Sequence, residues 1–255
     1  MTDLTIPIDL EAELKELARR HRAASTVGMS VLNLIGGQAE NLLEKLPDSA
    51  KDRLEATTIK ALDVALRAAL KSRGVVPDQK SWLNTALTTA MGAAGGAGGL
   101  PSALAELPVT TTVLFRAIAG VAADHGFDPS EPDIAKECLT VFAAAGPLAE
   151  DDGADMAFLA ARVSLVGSTV HGVIAKIAPR LSYVLGQKLA TQAVPVIGAA
   201  AGAATNYAYT SYYQQMAHVH FGLLRLERSS GHPRALLIDM LREELSISTK
   251  SALIR

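Results

Sequence analysis

Apolar residues recur at helical spacing along most of this chain. Leu10, Leu14 and Leu17 share one face of a first predicted helix, capped by Asp9 and running to about Ala24; Glu11, Glu13, Lys15, Glu16, Arg19 and Arg20 hold the other face. A second and more apolar segment, Val27–Leu46, is interrupted by Gly36-Gly37 and stopped by Pro47. Leu54, Ile59, Leu62, Leu66 and Leu70 carry a helix over Ala50–Ser72, which Gly74 and Pro77 end. Ser81–Ala94 follows, then a strongly apolar helix, Val109–His125, with Pro108 suited to its first turn and Gly126 to its stop. Beyond the Phe127–Asp133 loop the pattern predicts Ile134–Ala145 and a long apolar helix, Met156–Ile177. Pro179 and Arg180 lead into Leu181–Ala193, Pro195 starts a further helix, and an amphipathic segment, Arg234–Leu245, comes last. Strict alternation of β-branched residues is absent, so no sheet is expected.

The fold class that follows is all-α, a compact multi-helix bundle with long Ala/Gly-rich apolar helices. Residues 1–77 read as an N-terminal helical segment packed on the main body, 78–255. Gly146-Pro147 and the acidic Glu150, Asp151 and Asp152 read as a hinge.

The stretch from Leu189 to Leu224 contains no Asp, Glu, Lys or Arg. A run this long is either buried on all sides or set in a membrane. Gly198, Gly202, Asn206, Thr210, Gln214, His218 and Gly222 recur in steps of four, so one face begins small and becomes hydrogen-bonding. Asn206, Gln214, Gln215 and four tyrosines are too polar for lipid, which favours a close helix crossing inside the protein. The same Gly198 and Gly202 offer a face on which two copies of the chain could pair.

Charge changes the picture little. Lys plus Arg number 24 against 26 Asp plus Glu, so no global field would draw nucleic acid, and no nucleic-acid partner is expected. A single cysteine, Cys138, rules out an internal disulfide and fits a reducing compartment. The acidic opening residues have no signal-peptide pattern, and a cytoplasmic location is the expectation.

Motifs for chemistry are sparse. Five glycines in Gly92–Gly99 invite comparison with a phosphate-binding loop, but no Gly-Lys-[Ser/Thr] follows and no βαβ frame surrounds them. His218 and His220 stand two apart, pointing to opposite sides of a helix, so no metal site is expected of them. No G-x-S-x-G elbow occurs. No cofactor is expected. Arg116 stands out as a charge inside an apolar helix and calls for a partner, Glu106 or Asp124, or else an anionic ligand such as a lipid headgroup. Lys188, Arg225 and Arg228 also border uncharged surface.

Three blocks carry a family resemblance. ELPVTTTVLFRAIAGVAADHGFD (Glu106–Asp128) is followed by ECLTVFAAAG (Glu137–Gly146). The third is AVPVIGAAAGAATNYAYTSYYQQMAHVHFGLLRLERSSG (Ala193–Gly231), with a P-x-I-G-A-x-x-G-A-x-x-N core. Together with the Gly92–Leu100 cluster they resemble the EcsC protein family, over Trp82 to Gly231. That family takes its name from a bacterial operon in which a member accompanies an ABC transporter linked to secretion. The resemblance implies an α-helical intracellular protein acting at membranes, and it brings no catalytic motif.

Two functions are therefore expected to compete. The first is a non-catalytic membrane-associated protein at the inner face of the cell membrane, binding lipid or a membrane protein and linked to transport or secretion. Its ligand-binding residues would be Arg116, Asn206, Tyr209, Tyr213 and His218. The alternative is a hydrolase-type enzyme with a pocket near Arg116, Asn206 and His218. Association should be peripheral, because an arginine at the centre of a spanning helix costs about 2.5–3.5 kcal/mol. Met156–Ile177 is the nearest rival as a span.

Overall fold

The structure is a computed structural model that describes residues 9–34, 46–72, 88–91, 99–144, 146–147, 159, 169–192 and 198–253. Seven α-helices are delimited among them: α1 (Leu10–Leu34), α2 (Asp48–Ser72), α3 (Gly99–Asp124), α4 (Pro132–Thr140), α5 (Val170–Gln192), α6 (Gly198–Ser230) and α7 (Arg234–Leu253). A 3-10 turn, Val141–Ala143, extends α4, and the described residues contain no strand. The all-α class is thereby observed. The Gly92–Gly98 cluster, most of Met156–Ile177 and the Glu150–Asp155 loop lie outside the described residues.

Most of the uncharged run forms α6, which packs against α1, α3, α5, α7 and the 3-10 turn. Burial over most of its circumference is what strips it of charge: Tyr209, Tyr212, Tyr213, Met216, Val219 and Phe221 are all buried, while Tyr207 on the remaining side is 48% exposed. At 1.5 Å per residue its 33 residues span about 50 Å, enough to touch every other layer. The N-terminal helices complete the core, α1 running antiparallel to α6 and α2 lying across α3 and α5. Leu14 and Leu17 of α1 and Leu54, Leu62 and Leu66 of α2 are buried in the same apolar cluster as Phe115, Phe142 and Tyr213.

Local signals set several boundaries as the sequence predicts. Asp9 Oδ1 accepts from the Ala12 N–H at 3.1 Å and caps α1. At the end of α3 the Phe127 N–H reaches back to the Ala122 carbonyl at 3.0 Å around Gly126, whose φ of 82° is a left-handed turn open to glycine.

Three expected breaks are not there. The first two predicted helices merge into α1, which continues past Ala24 to Leu34. Pro108 lies inside α3 rather than at its start, and Pro179 lies inside α5. A proline in a helix removes one backbone bond and costs about 3 kcal/mol unless context absorbs it. At Pro179 the context is plain. Pro179 and Ala175, whose carbonyl loses its donor, both face solvent, while Ile177, Ala178 and Leu181 beside them are buried. The freed carbonyl belongs to an exposed residue, and packing of Ile177, Ala178 and Leu181 holds the helix. The last helix also extends beyond Leu245, to Leu253.

Candidate functional site

The polar residues of α6 meet three separate groups of partners. Nearest its N-terminus, Asn206 is buried and donates through Nδ2 to the Thr88 carbonyl at 2.7 Å and to Glu106 Oε1 at 2.8 Å. Glu106, on α3, also accepts from Thr110 Oγ1 at 2.7 Å and faces Lys188 Nζ of α5 at 3.5 Å. Thr88 and Thr210 share a 2.7 Å hydroxyl contact beside them. Lys188 has no solvent exposure. Burial pulls its pKa down and the Glu106 carboxylate opposes that pull. One carboxylate oxygen thus gathers an ammonium, an amide and a hydroxyl where three helices meet.

Further along, His218 Nδ1 and His125 Nε2 lie 3.1 Å apart, with ring centroids at 5.3 Å in a T-shaped arrangement. Both pKa values are pushed down to about 4, first by burial and then by nearby cations: Arg225 and Arg20 for His125, Arg20 for His218. Arg20 in turn donates to Gln215 Oε1 at 3.3 Å, and Arg225 holds Glu13 at 2.5 Å, so α1 closes over this pair.

His220 points the other way. Its Nδ1 lies 3.2 Å from Arg234 Nη2, and its Nε2 lies 2.8 Å from Glu137 Oε2. Guanidinium groups only donate, so Nδ1 accepts and Nε2 carries the proton toward Glu137. Arg234 Nε also faces the Leu159 carbonyl at 3.4 Å. Both imidazole nitrogens are engaged, which leaves no lone pair to take a proton from a nucleophile. This Glu–His–Arg chain ties α4 to α6 and α7.

Tyr209, Tyr212 and Tyr213 are core, whereas Tyr207 is exposed. Tyr209 donates to the Val184 carbonyl at 2.9 Å, and burial raises its pKa well above the usual phenol value. Tyr213 is fully buried with its ring edge-on to Phe142 and Tyr212, at 5.2 and 5.3 Å. Arg116 is half-buried on α3 and takes neither expected partner: Glu106 is engaged by Lys188 and Asn206 instead. Among the described residues Arg116 forms no hydrogen bond or ion pair.

The five expected binding residues are therefore not brought into one place. Asn206 and His218 lie about 18 Å apart along α6 by helical rise alone. The sequence reading missed His125, Glu137 and Arg234, whose partners are 93, 83 and 14 residues away in the chain. The only available hint was that buried polar residues on α6 require partners somewhere. No group of three or more His, Cys, Asp or Glu among the described residues could hold a metal.

A central helix contacted by most of the other helices, with polar clusters closed at its contacts, defines an all-α helical-bundle protein. The chain belongs to the EcsC protein family, whose model matches residues 12–226. That match begins inside α1, so family likeness reaches well N-terminal of Trp82, and α1 and α2 are part of it. No curated protein and no solved structure matches the chain.

Proposed function

We propose that this protein is non-catalytic and acts peripherally at a membrane surface, binding anionic lipid or a membrane protein in a role linked to transport or secretion. One observation carries the reading. The outward residues of α3 at helical spacing are Ala105, Val109, Thr112, Arg116, Gly120 and Ala123. This face is about 27 Å long by helical rise, and its one charge is Arg116, which has no ion-pair partner among the described residues. Val109 is 53% exposed, and a Cβ placed on Gly120 would meet nothing within 4 Å. An apolar face carrying the Arg116 cation suits the headgroup boundary of an anionic bilayer, where each basic residue contributes about 1 kcal/mol.

The same helix argues for lying on the membrane rather than crossing it. Ala105–Asp124 is long and apolar enough to span, with mean hydropathy 1.3, but 61% of its most apolar window is buried inside the protein. The hydrolase alternative draws less support, because Arg116, Asn206 and His218 have different surroundings and His218 is engaged by His125.

Sedimentation with vesicles tests the reading. Binding to phosphatidylglycerol-containing vesicles, release by alkaline carbonate, and weakening by Arg116→Glu or Val109→Asp are expected. Retention after carbonate would make the protein integral. Failure to pellet with any lipid would remove the membrane role.

A further inference from the structure

A second surface lies on the α1/α7 side of the bundle. There a groove of about 330 Å³ opens, lined by Leu10, Glu11, Leu14, Met240, Glu243, Glu244 and Ile247. Its floor is aliphatic: Leu14 is buried, Leu10 and Met240 pack against the core, and Ile247 is left 51% exposed beside them. Carboxylates form the rim. Lys15 is the basic residue paired there, bound to Glu11, and its pKa is raised chiefly by that partner and also by Glu244 and Asp9. The acidic groups therefore converge on one place. Arg242, a further cation on α7, is held by Asp239 at 2.5 Å. Glu243 and Glu244 form no side-chain ion pair among the described residues.

An aliphatic trough rimmed by Glu11, Glu243 and Glu244, with Lys15 paired to Glu11, carries excess negative charge among the described residues and selects its occupant by it. Anionic lipid headgroups would be repelled, so this is not a continuation of the α3 face. A small neutral ligand would leave Glu243 and Glu244 unused. What satisfies both parts is an amphipathic segment with aliphatic anchors on one side and lysine or arginine flanking them, laid helix-in-groove. Met240, flexible and polarizable, can adapt to the shape of the anchor.

We propose that the groove between α1 and α7 docks a basic amphipathic helix of a partner protein. Lys/Arg-rich segments of this kind border transmembrane helices on the cytoplasmic side. That origin of the partner rests on the membrane-surface reading above; the docking chemistry does not.

The test uses the full chain in solution, without lipid, and the fluorescence anisotropy of a short labelled Lys/Leu amphipathic peptide. Saturable binding that weakens with salt is expected, together with much weaker binding of a Glu/Leu peptide of the same pattern. Glu243→Gln and Glu244→Gln should each weaken binding about two- to fivefold, the loss expected of one exposed ion pair. Ile247→Asp should abolish it. All three positions are at least partly exposed, so the variants should keep the wild-type circular dichroism spectrum and vesicle binding. Equal binding of the acidic peptide, or no binding by either, overturns the proposal. So does a concentration-dependent dimer that Ile247→Asp dissolves, since the occupant would then be a second copy of this chain. Loss of vesicle binding with peptide binding intact would remove the membrane reading and leave the groove.

Discussion

Leu17 of α1 occupies the space that any side chain at position 222 would need: a Cβ on Gly222 would stand 2.4 Å from Leu17 Cδ2. Gly222 is the last member of the every-fourth-residue ladder that begins at Gly198, and there α1 packs tightly on α6. Leu17 is itself 3% exposed and has little room to retreat. Gly222→Leu should destabilise the protein by about 1–3 kcal/mol, the usual cost of overpacking a filled contact. Gly222→Ala should do less harm, because better helix propensity offsets about 1 kcal/mol of the strain. Adding Leu17→Ala to Gly222→Leu should recover part of the loss in urea denaturation. A Gly222→Leu variant as stable as the parent would mean that α1 and α6 do not meet there.

The Glu106–Lys188 pair should behave as a buried ion pair whose members are worth keeping only together. Taking both groups out of water is expensive, and their attraction roughly repays it. Removing one leaves the other charged in the core. Lys188→Met or Glu106→Leu alone should therefore cost about 3–5 kcal/mol. The double variant should cost clearly less than the sum of the two, read as a coupling energy in a double-mutant cycle. Additive losses would show that the two groups do not sense each other.

How far these features were legible in the sequence follows from their physics. The uncharged run from Leu189 to Leu224 announces a largely buried helix, and α6 is that helix, with only the Tyr207, Ser211, Gln215 and His218 side partly open. Asp9 and Gly126 act locally, so their caps are readable from neighbours alone. Pro179 is misread because its penalty is local while its compensation, burial of Ile177 and Leu181, is tertiary. Partner choice is the least legible. Arg116 and Lys188 are both candidates for Glu106, and only the register of α5 against α3 gives the carboxylate to Lys188. His218 likewise reads as a lone ladder position until the α3 terminus places His125 against it.

That histidine pair makes stability depend on pH in a defined window. Both imidazoles have folded pKa values of about 4, against 6.5 in the absence of burial. Between these values the unfolded chain binds protons that the folded chain refuses, so stability rises with pH across the interval. It is fully present above pH 6.5 and is lost progressively as the pH falls toward 4. The surroundings reinforce this direction: Arg20 and Arg225 repel an added proton, and Glu16 only partly counters them at His218. The 3.1 Å contact adds a second constraint, since protonating both rings would set two N–H donors against each other. The urea midpoint should fall between pH 7 and pH 5. In a His125→Gln/His218→Gln variant, which keeps a polar contact without a titrating ring, the decline should be shallower. A variant that loses stability as steeply as the parent would assign the acid sensitivity to carboxylates such as Glu16, whose pKa its arginine neighbours lower, and would leave the pair without a titrating role.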